Sequence, residues 1–190
     1  MKTGVAIRRF LRYIRRYGSI FGLVSVYNDK KYLRYNPLKN KIKAVVFWLL
    51  IAAWTALMFS LSGQTAEASS KLSGSLTDYL LTLLTEGFIT FDLLEHILRK
   101  TAHFCMFAME GFLMYMSVYL TFRKRKTAVA LSVSASVLIA TLNELHQLLF
   151  EGRSCEFLDV VINSSGACTG IAAAVLAYHC YLLIKSRRRA

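Results

Sequence analysis

An all-α, polytopic membrane four-helix bundle is the fold this sequence predicts. An N-terminal interfacial amphipathic helix and short amphipathic helices in the first outer loop complete it. Three observations predict it. The 190-residue chain is 55% hydrophobic, with a mean hydropathy of +0.42, too apolar for an ordinary soluble domain. Its apolar residues gather in four runs, 44–61, 101–122, 127–150 and 160–184, each near or above the roughly 18 residues that cross a hydrocarbon core. Its cations are asymmetric: of 24 Lys and Arg, twelve lie in residues 1–43, four in 123–126 and four in 185–189. Those regions fall on one side of a four-span arrangement, so the positive-inside rule places both termini in the cytoplasm. Only Lys71, Arg99, Lys100 and Arg153 lie elsewhere, and of eleven acidic residues only Asp29 lies on the cytoplasmic side. The net charge of +13 therefore reads as membrane topology, not as a nucleic-acid footprint.

Residues 1–43 form a basic arm. In AIRRFLRYIRRYG, Ile7, Phe10, Leu11 and Ile14 share one side, with Arg8, Arg9, Arg12, Arg15 and Arg16 largely on the rest. That pattern predicts a helix lying on an anionic cytoplasmic leaflet. The apolar stretch after it is short and interrupted, and no small-residue cleavage site follows, which argues against a signal peptide. Asn36 followed by Pro37 breaks the chain. Lys39, Lys41 and Lys43 then anchor the first span, in which Trp48 and Trp54 serve packing and interface roles. Ser60, Ser62 and Gln64 are polar where that span ends.

Residues 77–98 are apolar yet carry Asp78, Glu86, Asp92, Glu95 and His96, with Gly87 between. We read two short amphipathic helices on the outer surface, and His96 as a surface histidine. The second span opens RKTAHFCMFAMEGFLMY. His103, Phe107, Glu110 and Met114 share one face, and Glu110 lies about 14 Å along the helix from Thr101. A lipid-facing carboxylate at that depth costs roughly 2.5–3.5 kcal/mol on insertion scales, so Glu110 is expected to face the bundle. Residues 123–126 make a tight inner turn, so spans two and three are antiparallel neighbours. Ser132, Ser136, Ala140, Asn143 and Gln147 form a small, polar stripe on the third span, of the kind that lets helices approach in lipid.

Residues 143–170, NELHQLLFEGRSCEFLDVVINSSGACTG, carry unusual polarity between two spans. Asp159, Asn163, Gly166 and Gly170 are spaced four, three and four apart and share one helix face. Gly166 and Gly170 make a GxxxG pair, a helix-packing signal. Asp159 also suits the N-terminus of the fourth span. Cys105, Cys168 and Cys180 fall in predicted spans and Cys155 in an outer loop, which is no disulfide framework. Neither a metal motif nor a cofactor motif is present.

The set FSLSGQ, RKTAHF, NELHQ, GR and DVVINSSG resembles the VanZ-like membrane proteins over about residues 44–184. Their pattern is a polar SxxQ after span one, an [RK]KxxHF opening to span two and an acidic ExxQ ending span three. GR and then Dxxx[ND]xxG open span four. The basic arm is outside the pattern, as is the cytoplasmic tail, residues 185–190. Met106 stands where relatives carry Glu, Glu110 where they are apolar, and Glu151 where proline is common. The resemblance implies a bacterial cytoplasmic membrane protein with a cell-envelope function, in a family associated with low-level resistance to teicoplanin-type glycopeptides. It does not imply a reaction.

Charge counting places Gln64, Arg99, Lys100, His103, Asn143, Glu144, Gln147, Arg153, Asp159 and Asn163 near the extracytoplasmic face. Cations, carboxylates and a histidine beside a protein-lined route into the bilayer suit an amphiphile with an anionic head, such as a lipid-linked wall precursor or phospholipid. In the first reading Arg99, Lys100 and Arg153 hold phosphate or carboxylate, and Asn143, Gln147 and Asn163 orient it. A second reading makes His103 a general base oriented by Glu144 or Asp159. A third makes Glu110 the proton or ion carrier of a small transporter. Expected partners are membrane lipids and a second copy of the chain, with no nucleic acid, metal or cofactor.

Overall fold

The computed structural model describes residues 37–83 and 90–187. The expected interfacial helix of the basic arm, Glu86, Gly87 and residues 188–190 lie outside the described residues. Regular structure among those described is helical throughout: α1 Pro37–Ser62, α2 Ala66–Leu83, α3 Phe91–Phe122, α4 Arg125–Gln147 and α5 Phe157–Arg187. Four of these, all but α2, are long and apolar enough to cross a membrane. Their outward faces carry large apolar side chains such as Leu49, Leu138 and Leu176, 59–65% exposed, which hydrocarbon rather than water would cover. The chain is a multi-pass membrane protein.

Local chemistry sets the ends. Pro37 opens α1, where its missing N–H leaves no helix bond unmade. Thr90 caps α3, its side chain accepting from the Leu93 N–H at 3.4 Å. At the other end Arg123 takes the left-handed conformation, φ 58°, and its N–H closes on the Tyr119 carbonyl at 2.9 Å. Only Arg123 and Lys124 separate α3 from α4, so the two run antiparallel. Gly152, φ 74°, takes a conformation that favours glycine in the turn that brings Arg153 back over the bundle.

One expectation is corrected here. Residues 77–98 do not form two separate surface helices. The first is α2, which begins earlier, at Ala66. The second is the opening of α3, which runs unbroken for 32 residues. Thr90 supplies the cap, and no glycine or proline interrupts residues 91–110, so the span simply continues. Asp92, Glu95 and His96 therefore ride on the same rigid helix as His103 and Glu110.

α3 is the central helix. It meets α5 along a seam of near backbone contact: a Cβ on Gly166 would overlap the Phe104 carbonyl, and one on Gly170 the Ala108 carbonyl. The offset is the same in both pairs, as parallel helices require. Gly111 completes the seam from α3, facing the Ala167 carbonyl. α1 is stapled to α3 by its tryptophans, Trp48 Nε1 donating to Thr121 Oγ1 and Trp54 Nε1 to the Met106 carbonyl, both at 3.0 Å. Two apolar clusters fill the interior. Met58, Phe107, Ala140 and Ala167 form one. Met114, Tyr115, Val118, Ala128 and Ile171 belong to the other, nearer the Arg123 turn.

Candidate binding site at one rim of the bundle

At the end of the bundle away from the Arg123 turn, α1 and α4 finish, α5 begins, and the first turns of α3 rise past them with α2 alongside. A cavity of about 300 Å³ lies there. Gln64, Arg99, His103, Asn143 and Arg153 line its polar side, and Met58, Leu61, Leu76, Met106 and Phe107 its apolar side. Residues from four helices and two loops thus meet in one space.

The two arginines are held differently. Arg153 donates through Nε to the Gln64 carbonyl at 3.1 Å, tying the α4–α5 turn to the end of α1. Burial, and then the neighbouring Arg99 charge, lower its pKa from the usual arginine value, and it remains a cation. Arg99 donates through Nη2 to Glu95 Oε1 at 2.8 Å and to Ser70 Oγ at 3.1 Å, while Ser73 Oγ donates to the same Glu95 oxygen at 2.8 Å. That set fastens α2 to α3. The Arg99 Nε is buried with no partner.

Beside the cavity are two further groups. Lys100 pairs with Asp159 and, at 3.5 Å, with Glu156, joining α3 to the start of α5. Glu144 Oε1 accepts from Asn163 Nδ2 at 2.9 Å and from Gln147 Nε2 at 3.0 Å. Glu144 and Asn163 are fully buried and Gln147 nearly so. Asp159 sits in the first turn of α5, where the helix dipole favours a carboxylate.

Five of the expected site residues therefore share the cavity, namely Gln64, Arg99, His103, Asn143 and Arg153. Lys100, Asp159, Glu144, Gln147 and Asn163 surround it. His103, half-buried, is hydrogen bonded to neither Glu144 nor Asp159, whose partners are the amides and Lys100. Glu110 is the residue the structure does not bring to the rim. It lies two turns below His103 and is fully buried beside Ser136 on α4. Both of its carboxyl oxygens lack a hydrogen-bond partner, as does the Ser136 hydroxyl. Met106 lines the cavity while Glu110 does not.

Glu95, Ser70, Ser73 and Glu156 escaped sequence reading. Glu95 and Arg99 were detectable as an i,i+4 pair, had residues 91–100 been read as span rather than surface helix. His146 is packed between the rings of Phe59 and Phe150, with centroids 5.2 and 5.0 Å away, which is a structural place. Among the described residues no three His, Cys, Asp or Glu side chains gather as a metal site requires.

The Lys100 pair gives a first prediction. The two side chains are 19% and 23% exposed, between the surface and buried regimes. Lys100→Ala should destabilise on the order of 1–3 kcal/mol, and the swap Lys100→Asp with Asp159→Lys should recover part of that. Thermal unfolding of the four proteins of the cycle in detergent checks it, and zero coupling would refute it.

Residues 47–178 match the profile of a family described as VanZ/LLP1. Comparison with curated proteins and with solved structures gave no match.

Proposed function

The chain belongs to the VanZ/LLP1 family, and on that premise we propose that it captures the anionic head of a membrane amphiphile at the outer rim of its bundle. The observation that carries the reading is the cavity in which Arg99, Arg153 and His103 face an apolar wall of Met58, Leu61 and Phe107. Cationic donors at one side and hydrocarbon at the other match a molecule that is charged at one end and oily at the other. The distribution of Lys and Arg supports an extracytoplasmic position for this rim and cytoplasmic termini.

The size of the cavity narrows the occupant. About 300 Å³ is at the small end of ligand sites. It suits a phosphate or carboxylate with a short length of chain, the rest of the molecule remaining in the bilayer or outside it. A lipid-linked wall precursor and an anionic phospholipid share that chemistry. Holding such a molecule at the cell surface is the means by which this chain would lower susceptibility to teicoplanin-type glycopeptides. Capture is favoured over acid–base chemistry because His103 lacks an orienting carboxylate, and over ion transport because Glu110 is set apart from the cavity.

Arg153→Ala tests the reading. Loss of a hydrogen bond to a charged group is worth about 1.5–3 kcal/mol, or roughly tenfold or more in affinity. The assay is native mass spectrometry or fluorescence titration of the protein in phosphatidylcholine nanodiscs. Phosphatidylglycerol and a polyprenyl phosphate are added in separate arms to distinguish the two sources. Arg153→Lys, which keeps the charge and loses the fork, should fall between wild type and alanine. Full lipid binding and full glycopeptide resistance in Arg153→Ala, at unchanged protein level, would refute the proposal.

A further inference from the structure

The bond between Glu144 and Asn163 leaves something unexplained. Asn163 Nδ2 donates to Glu144 Oε1 at 2.9 Å. The other oxygen of each group, Glu144 Oε2 and Asn163 Oδ1, is buried with no partner. Both side chains are 0% exposed, so bulk water does not reach them. If Glu144 is ionised, these two oxygens are both acceptors with nothing to accept from, which is costly for any buried polar group and more so for a charged one. A carboxylic acid and a primary amide can pair through two hydrogen bonds, and one of the two, the N–H···O bond, is already made here. One proton on Oε2 would donate to Oδ1 and satisfy both atoms.

The charged groups around Glu144 do not offer another remedy. On α3, Lys100 is engaged by Asp159 and Glu156. On α5, Asp159 is a second negative charge acting on Glu144. In the α4–α5 turn, Arg153 is near enough to act on Glu144, but the hydrogen bonds Glu144 accepts come from Gln147 and Asn163 and none from Arg153. Gln147, on Glu144's own helix, donates to Oε1, the oxygen Asn163 already holds. Neither cation makes an ion pair with the carboxyl.

We propose that Glu144 and Asn163 are a buried proton-binding site, in which the protonated carboxyl and the amide pair through two hydrogen bonds and clasp α4 to α5. Release of the proton breaks the Oε2–H···Oδ1 bond and sets a negative charge beside Arg153. The pair itself is independent of what the rim binds. Its consequence rests on the capture reading above: the new charge opposes that of Arg153, so anion affinity falls as the proton leaves.

The test is infrared difference spectroscopy of the full chain in nanodiscs, titrated with pH and without ligand. A Glu110→Gln background removes the other buried carboxyl of the interior. A protonated-carboxyl C=O band should be present at neutral pH and disappear on alkaline titration. Glu144→Gln should abolish the band, and Asn163→Leu should shift it. Glu144→Gln keeps both hydrogen bonds as an amide–amide pair, so it should melt within a few degrees of its parent and lose the alkaline fall in melting temperature. Absence of the band at neutral pH overturns the proposal. So does a Glu144→Gln protein that fails to fold, because that would mean the charge is needed. These signals are read without added anionic lipid, so a capture reading refuted by full lipid binding in Arg153→Ala leaves them unchanged.

Discussion

Gly170→Val should remove the folded protein from detergent extracts, the largest effect expected of any single substitution at the α3–α5 seam. A Cβ at residue 170 would coincide with the Ala108 carbonyl oxygen, and the Phe112 backbone nitrogen lies 2.9 Å from the same point. The obstacle is backbone on both sides, so no rotamer change relieves it. Valine adds two methyl groups to that overlap. Overpacking a core with side-chain neighbours costs about 1–3 kcal/mol; here α5 must move off α3, and the contacts at Gly166 and Gly111 go with it. The Lys100–Asp159 pair and the Arg153 turn depend on the same register, so the rim is lost as well. Gly74 is the control. Its nearest neighbour to an added Cβ is a Phe91 ring carbon at 3.8 Å, an ordinary contact, and Gly74→Ala should stabilise α2 by about 0.5–1 kcal/mol. Size-exclusion profiles and thermal melts of the two variants check the contrast. Equal yields would show that the seam is not a close backbone contact.

The seam illustrates what could be read in advance. Gly166 and Gly170 lie four apart on one face of a span, and that periodicity is local. Their partner Gly111 is a lone glycine in another helix, and nothing in its own neighbourhood marks it. The same division runs through the rim. Helix periodicity put Asp159 and Asn163 on one face, and charge counting gathered the polar set at one end. Which side chains touch is set by helices that meet across long separations, as with Arg153 and Gln64, 89 residues apart. The early start of α3 is hidden for a different reason: Asp92, Glu95 and His96 look like surface residues when the segment is taken alone. The span hydropathy from Phe91 to Phe122, though lower than that of α1, still passes as membrane-crossing, and Ser73 and Arg99 occupy the Glu95 carboxylate.

Glu110 bears on how far that polarity reaches into the bundle. Along α3 it lies between Phe107 and Met114, members of two different apolar clusters. Across α4 the same order holds, with Ser136 between Ala140 and Ala128. The Phe107 cluster separates Glu110 from the rim cavity on one side and the Met114 cluster closes the other. Neither carboxyl oxygen has a partner, and no cation bears on the group. A glutamine there is neutral, of the same size, and costs no hydrogen bond that the carboxyl makes, so Glu110→Gln should leave stability within about 1 kcal/mol of wild type. Glu110→Lys puts an amine into the same space with no counter-ion, where it must be carried charged or give up its proton at a cost, and insertion scales put that at roughly 2.5–3.5 kcal/mol at the bilayer centre. Melting temperatures of both variants in one detergent give the comparison. A carboxylate held by an unseen cation would reverse the order of argument, because glutamine would then be as damaging as lysine. The expected ranking, wild type near Glu110→Gln and both well above Glu110→Lys, holds only if residue 110 is an isolated polar group sealed between apolar layers.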